Sequence, residues 1–167
     1  MNPKMNACVV LLFAMVGWVP TLKAQERSLS WTLTRLYTFL GEADGASPSE
    51  VILDPAGNLY GITAYGGQSG CGQFGDGCGV AFKLNPSGHE SILHTFTGSP
   101  DGANSVVGLL RNSSGIFYGE TFNGGSNNAG TIFKLTPQPR ACASVLCPWQ
   151  ETILHQFSNG SDGANPY

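Results

Sequence analysis

Asp101-Gly-Ala-Asn104, Gly115-Ile-Phe-Tyr-Gly119 and Gly130-Thr-Ile-Phe-Lys-Leu135 form one ordered set of short pieces, and the same set occurs upstream. There it reads Asp44-Gly-Ala-Ser47, Gly57-Asn-Leu-Tyr-Gly61 and Gly79-Val-Ala-Phe-Lys-Leu84. A third copy opens at Asp162-Gly-Ala-Asn165. Phe39 to Phe96 is 57 positions and Phe96 to Phe157 is 61, and Asp44, Asp101 and Asp162 keep both intervals. A period of this length marks a tandem array in which each unit buries its apolar face against the next.

The units differ by two insertions. Tyr60 to Phe82 spans 22 positions against 15 for Tyr118 to Phe133, and the extra residues contain Cys71 and Cys78. Phe82 to Phe96 spans 14 positions against 24 for Phe133 to Phe157, and those extra residues contain Cys142, Cys147 and Pro148. Each cysteine pair falls inside one surface excursion, so the pairing expected is Cys71 with Cys78 and Cys142 with Cys147. A zinc site made by the four thiolates is the alternative; structural zinc favours shorter ligand spacing, and exported cysteines oxidise.

Each unit offers four short strands separated by turn residues. They are expected at 50–53, 59–64, 80–84 and 90–96, and again at 106–110, 116–122, 131–135 and 151–157. Asp54-Pro-Ala-Gly57 and Asn112-Ser-Ser-Gly115 predict hairpin turns. Gly61 and Gly119 fall inside strands, where glycine implies close approach of another element, read here as tight packing between neighbouring sheets. The fold class expected is all-β, a propeller-like array of four-stranded antiparallel blades, with a β-solenoid as runner-up. Segment 31–39 aligns with the last strand of each unit and is expected to be an outer strand. The repeat domain spans 25–167, with units at about 40–96 and 97–157 and a shortened third at 158–167. Two complete units do not close a ring, so a fragment of a longer array is expected. Its open blade edges would favour self-association, with a ring closed by several chains, or an open array, as alternatives.

The N-terminus reads as an export signal. Lys4 precedes an apolar run at 7–19, too short for a comfortable membrane span, and Leu22-Lys-Ala24 is the small-residue cleavage site. Removing residues 1–24 leaves six Lys and Arg against eleven Asp and Glu, a net charge of -5. Nucleic acid is therefore not an expected partner, and no stable membrane span is expected after cleavage.

Candidate chemistry is sparse. Gly70-Cys-Gly-Gln-Phe-Gly75 fits G-x-G-x-x-G, but no strand is expected before it or helix after it, as dinucleotide binding requires. Asp76 beside those glycines is one carboxylate, a thin ligand set for calcium. Asp44, Asp101 and Asp162 are expected to cap turns by accepting from amides two residues on. His94 and His155 share one repeat position with Tyr37, on the strand face of Phe96 and Phe157, and are read as packing residues. Glu120 replaces Ile62 in an apolar strand, which a partly exposed edge explains. Tyr65, Phe74, Phe122 and Trp149 lie in or beside loops, where they could stack on sugar rings. No metal, cofactor or catalytic residue is expected.

The pieces Leu36-Tyr-Thr-Phe39, Asp44-Gly-Ala-Ser-Pro48, Asn58-Leu-Tyr-Gly61, Gly66-Gly67 and Phe82-Lys-Leu84, with their second copies, resemble the bacterial GloVer repeat of Gloeobacter and Verrucomicrobia over roughly residues 33–167. That resemblance implies an exported protein of many tandem copies, commonly ending in a surface-anchoring segment, without a known enzymatic activity. The function expected is a secreted or cell-surface scaffold that binds a protein or a glycan. A propeller-borne carbohydrate hydrolase or lyase is the alternative.

Overall fold

In the chain Asp54-Pro-Ala-Gly57, the Asp54 carboxylate accepts from the amides of Ala56 and Asn58, both at 2.9 Å, while the Asp54 amide donates to the Asn58 carbonyl. Gly57 takes the positive φ, +82°, that lets two strands leave the turn side by side. Asn112 with Gly115, and Asn85 with Gly88, build the same turn. Three hairpins therefore rest on one local device, an acceptor side chain at the first position and glycine at the fourth.

The computed structural model describes residues 31–68, 70, 71, 75–137 and 149–167. These hairpins produce two four-stranded antiparallel sheets in strand order β1-β2-β3-β4 and β5-β6-β7-β8. The first comprises β1 (Ala46–Leu53), β2 (Leu59–Tyr65), β3 (Val80–Leu84) and β4 (Glu90–Thr95). The second comprises β5 (Leu110–Arg111), β6 (Phe117–Thr121), β7 (Thr131–Thr136) and β8 (Gln150–Gln156). No helix occurs among the described residues, and none there is long and apolar enough to cross a membrane. Residues 1–24, Phe74, Cys142 and Cys147 lie outside the described residues.

The registers repeat along with the sequence. Gly61 stands opposite Phe82 and Gly119 opposite Phe133, and both sheets carry an irregularity one residue before that phenylalanine, where the outer strand joins. A Cβ on Gly61 would come within 2.7 Å of Phe82 Cζ, and one on Gly119 within 2.5 Å of Phe133 Cζ. The strand glycines thus make room for a ring on the next strand of their own sheet, not for a neighbouring sheet as expected. The link to the neighbouring copy is the other side of that ring. Phe39 meets Phe82 edge-on at 4.9 Å and Phe96 meets Phe133 edge-on at 5.2 Å. Such pairs add about 0.5–1.5 kcal/mol beyond area burial.

Polar links between copies recur in the same way. Asn104, with φ +54°, donates its side-chain amide to the Ala64 carbonyl at 2.9 Å. Asn165, with φ +50°, donates to the Phe122 carbonyl at 2.8 Å. Asparagine suits this position because it tolerates the left-handed conformation and still presents a donor. The core between the sheets gathers Tyr60, Ile62, Phe96, Leu109, Phe117 and Phe133 in one cluster.

Two expected strands come out differently. Residues 31–40 form no strand, because no strand precedes them among the described residues to supply a hydrogen-bonded edge. Phe39 nevertheless packs on Phe82 as Phe96 packs on Phe133. The strand expected at 106–110 shrinks to Leu110–Arg111. The chain ahead of it is held by the first sheet instead: Ser49 Oγ donates to the Val107 carbonyl at 3.1 Å, and Gly108 abuts Glu50.

Asp54 carries a pH dependence. The Asn58 side-chain amide leads the contacts that lower its pKa from 3.8 to about 2, against a smaller opposing effect of burial. A carboxylate with a depressed folded-state pKa contributes stability above its unfolded pKa and loses it as pH falls through the folded value. Asp54→Asn keeps the amide acceptor, as Asn85 and Asn112 show, but not the charge. Urea midpoints should therefore be lower than wild type at pH 6, with the gap closing between about pH 4 and 2.

Candidate functional site

The Asp-Gly-Ala turns bring their aspartates under an aromatic or imidazole ring seven residues earlier. Asp44 accepts from Tyr37 Oη at 3.2 Å and from the Leu40 amide at 2.7 Å. Asp101 lies 3.2 Å from His94 Nε2 and accepts from the Thr97 amide and hydroxyl at 3.0 and 2.7 Å. Asp162 lies 3.2 Å from His155 Nε2 and accepts from the Ser158 amide and hydroxyl. These aspartates close their turns on the amide four residues before them. The expectation of amides two residues on placed the donor on the wrong side, because the turn closes back on the residues before the aspartate, as in the Gly98–Gly102 bridge around Asp101.

The rings are held against phenylalanine in one geometry. Tyr37 on Phe39, His94 on Phe96 and His155 on Phe157 meet edge-on at 4.9, 4.8 and 4.7 Å. The packing role read for the two histidines describes this one side of each ring. The polar edge has a second partner. Glu90, first residue of β4, reaches Tyr37 Oη at 3.0 Å, and Glu151, near the start of β8, stands 3.7 Å from His94 Nε2. Each cluster therefore joins the tail of one copy to both the opening turn and the outer strand of the next.

The two clusters differ in satisfaction. In the first, the Tyr37 hydroxyl lies within hydrogen-bonding distance of both carboxylates. In the second, imidazole replaces phenol and comes within hydrogen-bonding distance of Asp101 alone, Glu151 Oε2 standing 3.7 Å away. The other carboxylate oxygen, Oε1, is buried without a partner in Glu90 and Glu151 alike, as is Asp44 Oδ1. The side chains of His94, Asp101 and Glu151 are 18 %, 13 % and 9 % exposed. Burial drives the Glu151 pKa up to about 7, with His94 opposing the rise and Asp101 adding to it. Burial also acts against the Asp101 carboxylate, yet His94 and Thr97 together outweigh it and hold the pKa below the usual value. One atom from each of His94, Asp101 and Glu151 lies within 4.8 Å of the others, a nitrogen-and-oxygen donor set with three members.

The other sequence candidates are scattered. Cys71 and Cys78 form a disulfide with Cα atoms 5.2 Å apart, both buried against the core. The Gly70–Gly75 string lies between β2 and β3, in the cysteine-bearing loop. Asp76 is exposed and shares a shallow basin with Glu42. Glu120 is half-buried on β6 beyond the end of β5, and with Glu50 it lines a largely apolar cleft of about 380 Å³ beside Ile52, Leu109 and Tyr118. Trp149 packs against Phe117 at 5.2 Å, whereas Tyr65 is exposed and Phe122 half-buried. The sequence reading passed over Glu90 and Glu151, although both stand four residues before the histidine position of their unit, a recurrence visible in the alignment.

The family whose model matches this chain is described as the Gloeobacter/Verrucomicrobia repeat, over residues 25–167. No curated protein and no solved structure matches it.

Proposed function

Because the chain belongs to the Gloeobacter/Verrucomicrobia repeat family, we propose that it is an exported, non-enzymatic scaffold of the cell surface or extracellular space. Its sheets act as the blades of a propeller-like array that presents a binding face to another protein or a glycan. The Cys71–Cys78 disulfide supports export, since such bonds persist in oxidising compartments.

One observation carries the reading: the side chains that recur from copy to copy are spent on joining copies. Phe39 and Phe96 fill the next sheet, Asn104 and Asn165 tie loops of successive copies, and the recurring aspartates close turns. The cleft beside Glu50 and Glu120 combines recurring residues, Tyr118 and Gly119, with ones that change between copies, Glu120 standing where the first unit has Ile62 and Ile132 where it has Ala81. Constant joints with a variable surface are what a binding array requires.

The pairing of Glu50 and Glu120 in one cleft favours a second reading, a carbohydrate hydrolase or lyase. A panel of chromogenic glycosides and acidic polysaccharides separates the two. No turnover is expected, and glycan retained on an array should be lost with Tyr118→Ala. Turnover that Glu120→Gln abolishes would replace the scaffold reading with the enzyme.

A further inference from the structure

We propose that His94, Asp101 and Glu151 form a binding site for a divalent transition-metal ion of the zinc class, clamping one repeat to the next. The donor atoms come from three separate places: the end of β4, the opening turn of the second unit, and the outer strand β8 of that unit. An ion there would tie all three together.

The metric fits. Zinc bonds to imidazole nitrogen and carboxylate oxygen of about 2.0 Å put tetrahedral ligand atoms about 3.3 Å apart. His94 Nε2 stands 3.2 Å from Asp101 Oδ2 and 3.7 Å from Glu151 Oε2. Three protein ligands leave one position for water or for a group from a partner. The imidazole selects against calcium and magnesium, which take all-oxygen shells, and in favour of zinc and its neighbours.

The sister cluster supplies the independent argument. Tyr37, Asp44 and Glu90 occupy the same three repeat positions, and there one hydroxyl lies within hydrogen-bonding distance of both acids, at 3.2 and 3.0 Å. Exchanging phenol for imidazole in the second copy removes that bridge. Oε1 is buried and unpartnered in both glutamates, so the contrast lies at Oε2. Glu90 Oε2 is 3.0 Å from the Tyr37 hydroxyl, whereas Glu151, with a side chain only 9 % exposed, has Oε2 3.7 Å from His94 Nε2, beyond hydrogen-bonding distance. A buried carboxylate without a donor is costly and calls for a cation. His155 and Asp162 repeat the first two positions, but among the described residues no third acid completes that set.

The test is calorimetric titration of the metal-stripped 167-residue chain with Zn²⁺ alone, paired with melting curves. One ion per chain and a raised melting temperature are expected. His94→Tyr installs the residue that the first copy already carries in this packing geometry, so it preserves the fold. It should weaken Zn²⁺ binding at least about tenfold and cancel the thermal gain. His155→Tyr should leave the stoichiometry at one, and Tyr37→His, which completes a second His-Asp-Glu set, should raise it to two. Failure of the folded wild-type chain to bind Zn²⁺, or binding that survives His94→Tyr, would overturn the site. Neither result bears on glycan retention, so the scaffold reading stands or falls separately.

Discussion

Phe133→Ala should lower the unfolding free energy by about 3–5 kcal/mol, the range for deleting a fully buried aromatic ring. The ring has no solvent exposure and is enclosed on two sides, by Phe96 edge-on at 5.2 Å and by Gly119 across the strand pair. Its removal therefore costs the transfer of the ring, the aromatic pair, and a void between copies that neighbouring strands are too constrained to fill. Urea denaturation monitored by tryptophan fluorescence should show a lower midpoint with an unchanged slope. Trp149→Ala should cost less, because Trp149 packs on Phe117 from a half-buried position. A loss below about 1 kcal/mol for Phe133→Ala would mean that the copies are not held together at this ring.

Gly119→Ala should cost about 1–3 kcal/mol, the usual range for overpacking a filled core. On the unfolded-state argument alone the sign would be opposite, since alanine restricts the unfolded chain and is worth about 0.4–1 kcal/mol where the backbone accepts it. The backbone at 119 does accept it, because this glycine lies outside the left-handed region. The decision falls to sterics. The added carbon would lie 2.5 Å from Phe133 Cζ and 3.2 Å from Leu109 Cδ2, and Phe96 blocks the ring's retreat. Combining Gly119→Ala with Phe133→Leu should recover part of the loss, a coupling that double-mutant analysis reads directly. Equal stability of Gly119→Ala and wild type would show that the ring does not sit over the glycine.

Much of this arrangement was legible in the sequence. β3 falls on the expected strand 80–84, and β2 and β7 match theirs to within a residue, because an alternating apolar run between Asx-Gly turns has few other ways to fold. What escaped the sequence depends on partners distant along the chain. β5 is short because Ser49 of the first sheet holds the backbone at Val107, a contact that no local pattern announces. Residues 31–40 have the composition of an outer strand but pair with no strand among the described residues.

The candidate site was half legible. The constant spacing of seven from Tyr37, His94 and His155 to their aspartates is written in the alignment, as is the recurrence of Glu90 and Glu151. Their convergence is not, because it requires the outer strand of one copy to fold back beside the tail of the copy before it. Reading His94 and His155 as packing residues leaves their polar edge out of account. The cluster that forms instead combines one histidine with two acids of the next unit.

The stacking of like copies through like rings is tested most directly by aromatic nuclear Overhauser effects in the folded chain. Cross-peaks are predicted between the rings of Phe39 and Phe82 and between those of Phe96 and Phe133, pairs 4.9 and 5.2 Å apart, with antiparallel Cα proton contacts flanking both glycines. One ring pair present and its counterpart missing, or helical amide contacts in either unit, would contradict it.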